Sequence, residues 1–530
     1  MDKGHDGVKP FREPGKYAAS SMEAGELAGA PGDEKVDPRT VVRKTLGSII
    51  PWMFFVVIWT YLDRSNLAFS ALPFKKYLGL SNADYGLGAG IFFIGYCVSM
   101  LPSNLFILWL GAPTWLAIII CVWGVVGAAT AAVKNHWEFY LVRFLLGVAE
   151  GGTFPGTFYH SSLFFSTHEL TYGYSAVSSA TALSQVIGAL VAAAIFQMDG
   201  LSGLPGWMWL FILEGAATVI FGLALRVFLA PTPGQAWFLK PAERRWLQKR
   251  QDDNHEAAMR RTHGANSSMI QGLTNWRLWY LGVMWFLVEC SIYGVLFWAP
   301  LLIDAMLQGQ FSGVHSAKPA PDLSAKETSW NTTKNALISC AVYIPVAITM
   351  ISIAWSSKNR KERNLHGGIP VLISGVAFLV MPVAIERGGV IAGIIVLIIA
   401  AAGAWSLFGP IWSWPATFLF GEARATGIAA FNTLGALGGF TGPYIIGALS
   451  NSGSFTRPMY VLGCFNIVAA AMILTFRAPD HVGDLDTAEE EGGAGNLAIK
   501  APAAARTPAA APPSSGAVHV NGSGAVSRDS

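Results

Sequence analysis

The stretch WEFYLVRFLLGVAEGGTFPGTFYH, residues 137–160, is long and apolar enough to cross a bilayer, yet it carries Arg143 and Glu150. About 20 apolar residues in a helix span a hydrocarbon core. A charge at that depth costs several kcal/mol unless protein or a watery cavity satisfies it. Seven residues make about two turns, so Arg143 and Glu150 share nearly one face. Gly147, Gly151 and Gly152 thin the helix and admit a close neighbour. A carboxylate among Gly and Ala keeps its charge only beside a base. Glu150 is therefore either half of a permanent bridge or a group that gains and loses a proton as its surroundings change.

This stretch is one of about twelve. Further apolar runs lie near 46–70, 86–110, 113–133, 173–197 and 207–229, and after a polar segment from 231 to 275 near 276–303, 334–355, 368–386, 390–412, 424–449 and 458–477. The whole chain of 530 residues is 52% hydrophobic and 13% charged, against about 25% charged in soluble domains. Such a composition predicts an all-α membrane protein, divided six and six by one polar loop. The expected boundaries are a disordered segment 1–45, helical bundles 46–230 and 276–477, a middle loop 231–275 and a disordered tail 478–530. That tail opens on Asp484, Asp486 and Glu489–Glu491 and continues rich in Ala, Pro, Gly and Ser, with too little apolar surface to offset the entropy of ordering.

Charge sets the expected orientation. Lys35, Arg39, Arg43 and Lys44 precede the first span, Arg244, Arg245, Lys249, Arg250, Arg260 and Arg261 fill the middle loop, and Lys358, Arg360, Lys361 and Arg363 follow the eighth span. An even number of spans puts all of them on one face with both termini, and that face is expected to be cytoplasmic. No secretory signal precedes the first apolar run, and the expected address is the plasma membrane. In the outer loop expected over 304–333, Asn331-Thr332-Thr333 matches a glycosylation sequon, while the matching Asn266-Ser267-Ser268 falls on the cytoplasmic side. Cys97, Cys121, Cys290, Cys340 and Cys464 all fall in apolar stretches and read as packed thiols.

Other function classes find little support. Net charge is +3 with no basic arm, so nucleic acid is not an expected partner. There is no Gly-x-x-x-x-Gly-Lys-Ser/Thr loop for ATP, no His-Glu-x-x-His, no Gly-x-Ser-x-Gly and no filter-like repeat. Neither an enzyme nor a metal or cofactor is expected.

The informative polar residues sit where lipid should be. Asp63 and Arg64 are adjacent near the end of the first span and also fit the plain role of marking the membrane surface. Neighbours on a helix point about 100° apart, so they cannot form one simple bridge with each other. Partners on the fourth span, Arg143 and Glu150, are the obvious candidates. Tyr96, Thr181, Gln185, Trp412, Trp414 and Asn432 are further candidates, though an amide such as Asn432 often serves only to bond neighbouring helices. Glu214 reads as interfacial, and Glu289 as a deeper acid with a second proton site as its one suggested role.

These residues resemble a known family. Six plus six spans with Arg143-x-x-x-Gly147-x-x-x-Gly151 are similar to the major facilitator superfamily. Within it, Tyr61-Leu62-Asp63-Arg64-Ser65-Asn66 and Arg143 through Gly156 resemble the anion:cation symporters, as do Leu101–Leu105, Phe238–Arg244 and Gly438–Tyr444. The resemblance implies two six-helix bundles working by alternating access, as a monomer, with proton-coupled uptake of a small organic anion. It makes Asp63 and Glu150 the proton-coupling acids and Arg143 the residue that tunes Glu150. It gives Arg64 the substrate carboxylate and puts Tyr61, Tyr96, Trp412 and Asn432 in the cavity. The family's glutamine on the fifth span falls nearest Thr181, with Gln185 one turn on, which departs from the sugar-acid pattern. The loop Gly111–Thr114 lacks the superfamily's charges, and Glu169–Gly173 lacks its arginine. A proton antiporter exporting a metabolite and a non-transporting nutrient receptor on the same fold remain open alternatives.

Overall fold

The computed structural model describes residues 36–263, 273–312, 325–360, 362–412, 414–415, 419, 421–450 and 453–477. The expected disordered tail 478–530, residues 1–35 of the expected disordered segment 1–45, and the sequon at Asn266 lie outside them. The described chain is helical: α1 Pro38–Phe69, α2 Ala71–Leu78, α3 Asn82–Leu110, α4 Ala112–Ala129, α5 His136–Glu150, α6 Thr153–Ser162, α7 Thr167–Ile195, α8 Gly206–Phe228, α9 Pro241–His263, α10 Trp276–Leu307, α11 Ala325–Arg360, α12 Asn364–Trp405, α13 Phe408–Ile411, α14 Gly421–Leu449 and α15 Thr456–Thr475. Among the described residues, nine helical segments are long and apolar enough to cross a membrane. One of them holds two spans. At Gly389 the backbone turns to φ 69°, ψ −163°, and Ser374 then bonds the carbonyl of Ala400 at 2.6 Å, so the chain folds back on itself. A side chain at Gly389 would be strained at that φ. With α14 and the broken pair α5–α6, the spans number twelve, in two sets of six.

Several boundaries differ from expectation for local reasons. Residues 38–45 belong to α1, because Pro38 opens the helix and Asp37 caps it by accepting from the Arg39 amide at 3.2 Å. The middle segment is not all loop, since α9 occupies Pro241–His263. It is tied back by Lys44 to Glu243 at 2.6 Å and by Arg250 to Glu169 at 2.9 Å. Asn331 is not in a loop: it lies inside α11, and the next two residues are buried, Thr332 at 2% and Thr333 at 4% exposure. The fourth span is interrupted between Glu150 and Thr153. Pro155 has no amide to give the carbonyl of Gly151, so the helical ladder lapses there.

In the first half α1 packs on α7, α3 on α5 and α4 on α8; in the second, α10 packs on α14 and α12 on α15. The halves meet where α3 lies against α14, α7 against α11 and α1 against α10. At the ends of these helices farthest from the chain termini, the seam is closed. Asn82 bonds the carbonyl and hydroxyl of Ser450, both at 3.1 Å, and Tyr85 donates to the carbonyl of Phe297 at 2.9 Å. Lys75 donates to Asn82 and lies over the rings of Tyr85 and Trp298, at 5.9 and 5.8 Å. A methyl on Gly86 would stand 2.5 Å from the carbonyl of Pro443, so only glycine permits this approach.

Candidate functional site

The first, fourth and seventh spans bring their charges to the centre of the molecule. Arg64 on α1 is 2% exposed and Glu150, the last residue of α5, is fully buried. Arg64 Nε donates to Glu150 Oε1 at 2.7 Å, and Nη2 pairs with the same oxygen. Nη1 crosses the seam between the halves and donates to the hydroxyl of Tyr293 on α10 at 2.6 Å. That hydroxyl stands 3.3 Å from the hydroxyl of Tyr61. The guanidinium carbon lies within cation reach of both tyrosine rings and of three more, Phe92 at 5.1 Å, Tyr96 at 5.3 Å and Phe93 at 5.7 Å.

What allows α5 to deliver Glu150 here is its glycine face. A methyl on Gly147 would sit 1.9 Å from the carbonyl of Phe92, and one on Gly151 2.5 Å from the carbonyl of Tyr96. The two backbones touch, and Phe92 becomes a shared wall. Arg143 packs over its face at 4.9 Å and over Phe297 at 5.5 Å.

Asp63 and Arg143 form a second, looser layer. Both are buried, at 7% and 2% exposure. Asp63 points at α4, where a methyl on Gly127 would come 2.8 Å from its Oδ1. Its Oδ2 has no hydrogen-bond partner, and neither has Nε or Nη2 of Arg143. Charges left unbonded in this way are costly.

A cavity opens beside Arg64, with an empty volume of about 570 Å³ that includes open solvent. Of the residues marked in the sequence, Tyr61, Arg64, Tyr96, Thr181, Trp412 and Asn432 line it. Asp63, Arg143 and Glu150 stand behind the wall rather than in it. Gln185 is not among the described lining residues; it is fully buried and its Oε1 has no partner. Thr181 instead faces the space, with its hydroxyl on the carbonyl of Ser178 at 2.8 Å. Trp414 belongs to the packed core beside Phe476, ring centroids 6.1 Å apart.

Sequence reasoning missed Tyr293, although it stands four residues after Glu289 and so shares its helical face. Glu214, read as interfacial, is 6% exposed and accepts from Asn66 of α1 at 2.7 Å, a partner the sequence did not point to. All five cysteines are free. Among the described residues no cluster of His, Cys, Asp and Glu could hold a metal ion.

Twelve apolar spans among the described residues, in two sets around a central cavity whose wall holds Arg64 paired to Glu150 behind it, define a membrane carrier. The sequence model of the Major Facilitator Superfamily matches residues 53–443, and the chain belongs to that superfamily. It is a membrane transporter. A putative tartrate transporter of Agrobacterium vitis is 35% identical over 437 residues, 82% of this chain and 90% of the relative. The inner membrane transport protein RhmT of Escherichia coli K12 is 30% identical, covering 84% of this chain and 98% of RhmT. These relatives agree with the resemblance to anion:cation carriers. In fold, the inward-open xylose transporter XylE from E. coli superposes with a TM-score of 0.63 at 14% identity, covering 83% of this chain and 99% of XylE.

Proposed function

We propose that this transporter takes up a small organic anion together with protons, by alternating access between bundles 46–230 and 276–477. The observation that carries the reading is the Arg64 guanidinium. It stands in the cavity wall, paired with buried Glu150 on one half and bonded to Tyr293 on the other. A proton arriving at Glu150 removes the charge that holds Arg64, and the freed guanidinium takes the substrate carboxylate through charge-assisted bonds. Asp63 is the second proton acceptor, set against Arg143. The bond from Arg64 to Tyr293 joins the halves, so loading the site also changes what holds them together. Rocking of the bundles then carries site and cargo across, as in other carriers built around a midplane site. Proton loss on the far side restores the Arg64–Glu150 pair and expels the anion.

The names of the tartrate-transporter relatives favour an organic acid as cargo. The basic residues on the face of the termini favour a cytoplasmic placement of that face, in the plasma membrane, with the protein acting as a monomer. The test is uptake into proteoliposomes of labelled sugar acids, dicarboxylates, aromatic acids and vitamin acids, with and without an inward proton gradient. Accumulation of one class only with the gradient is the expected result. Export coupled to an inward proton flux would reverse the direction, and binding without flux would mark a receptor.

A further inference from the structure

One acid in the cavity has no part in that cycle. Glu289 on α10 lines the same space as Arg64, is 6% exposed, and its Oε2 has no hydrogen-bond partner. Its Cβ side is fixed against α14, where a methyl on Gly438 would come within 2.9 Å, so the side chain has little room to retreat from the cavity. Arg64 stands in the wall of the same cavity. Its donors, however, are on Glu150 and Tyr293, and no salt bridge reaches Glu289 among the described residues. A carboxyl at this burial waits for a donor.

The remaining wall is rich in rings. Phe93, Phe154, Phe158, Phe408 and Trp412 line the space with the tyrosines, and among the described lining residues Arg64 is the one cation and Glu289 the one acid. The two charged groups belong to opposite halves, Arg64 on α1 and Glu289 on α10. A molecule that touches both therefore bridges the halves.

We propose that the preferred cargo is an amphoteric aromatic monoacid, with its carboxylate on Arg64, an amine or ring N–H on Glu289, and its flat ring between the aromatic walls. This rests on the organic-anion reading above and sharpens it. A dicarboxylate presents a second anion to a cavity with no second cation in its described lining, so that group meets Glu289 or ring faces. A plain aromatic acid fills the ring space but leaves Glu289 unpaired. A donor across the ring satisfies both ends, and because Glu289 sits on the second half, it also rewards closure around the cargo.

The experiment uses the full-length transporter in proteoliposomes and measures uptake of labelled 4-aminobenzoate and 3-aminobenzoate against benzoate, 4-nitrobenzoate and tartrate. One net hydrogen bond is worth about threefold to tenfold in affinity. The aminobenzoate with the fitting geometry should therefore outcompete benzoate by about fivefold, and Glu289→Leu, which leaves no acceptor, should bring the two within about twofold of each other. Equal uptake of benzoate and both aminobenzoates by the unmodified protein overturns the proposal without any variant. So does a preference for 4-nitrobenzoate, which offers acceptors in place of a donor, or a Glu289→Leu protein that loses all acids in equal proportion. Accumulation of tartrate with the aromatic acids ignored defeats this inference alone; absence of uptake and binding for every acid defeats the organic-anion reading as well.

Discussion

Replacing Arg64 with Ala removes one partner of an ion pair whose members are 2% and 0% exposed. Glu150 is left in the interior without its base. Breaking such a pair from one side costs about 3–5 kcal/mol, most of it the penalty on the group left behind. The bond to Tyr293 at 2.6 Å goes too, for about 1 kcal/mol more. Glu150→Gln removes the other charge but keeps a side chain of the same shape and leaves Arg64 its tyrosine. If the loss in Arg64→Ala is mainly the stranded carboxylate, the double variant Arg64→Ala/Glu150→Gln is more stable than Arg64→Ala alone, with a coupling of at least about 2 kcal/mol. The assay is unfolding of the purified protein in mixed micelles by SDS titration, on the four members of the cycle. Losses that add to within about 0.5 kcal/mol would show that the two residues do not act as a pair and would refute the geometry from which the transport cycle is built.

Three further outcomes follow from the packing. Gly147→Ala puts a methyl 1.9 Å from the carbonyl of Phe92 and 2.9 Å from the amide of Tyr96, so α3 and α5 must part; a loss of about 1–3 kcal/mol in the same unfolding assay is expected, whereas Gly47→Ala, with nothing within 4 Å, is neutral or gains up to about 1 kcal/mol. Asn66→Ala strips Glu214 of its 2.7 Å bond and costs about 1.5–3 kcal/mol, and an unchanged unfolding midpoint would show that this buried pair is not formed. On α9 the side-chain bond from Lys44 holds the Glu243 carboxyl below its usual value of 4.5. A lowered carboxyl stabilises above its unfolded value and loses that contribution as pH falls through the folded one. The small advantage of the unmodified protein over Glu243→Gln, under about 1 kcal/mol for a pair this open to solvent, should therefore be present at neutral pH and vanish in acid.

Much of this arrangement was legible in the sequence because a bilayer imposes a simple code. Apolar length fixed the spans, and charges at membrane depth pointed to Asp63, Arg64, Arg143 and Glu150, since no helix carries them there without a partner. The glycines around Glu150 also announced a close neighbour. What the sequence did not yield was which residue meets which across the two halves. Tyr293 looks like any aromatic in an apolar run, and only the fold brings its hydroxyl to Arg64. The partner of Glu214 was hidden because position along a span does not say that the residue faces Asn66. Gln185 and Thr181 lie one turn apart, and the cavity takes Thr181 while Gln185 turns into the packing. The turns at 38–45 and the helix α9 were hidden by polarity: helices that need no apolar face toward lipid leave little trace in hydropathy.

The central claim is that Glu150 exchanges its bond to Arg64 for a proton in each cycle. The direct measurement compares the unmodified protein with Glu150→Gln in proteoliposomes, for the acid that the panel identifies, in two modes. One is accumulation driven by an inward proton gradient, and the other is exchange of labelled for unlabelled acid without a gradient. The account predicts that Glu150→Gln loses gradient-driven accumulation and retains exchange. Accumulation undiminished in Glu150→Gln would contradict it and reduce the Arg64–Glu150 pair to a fixed strut between helices.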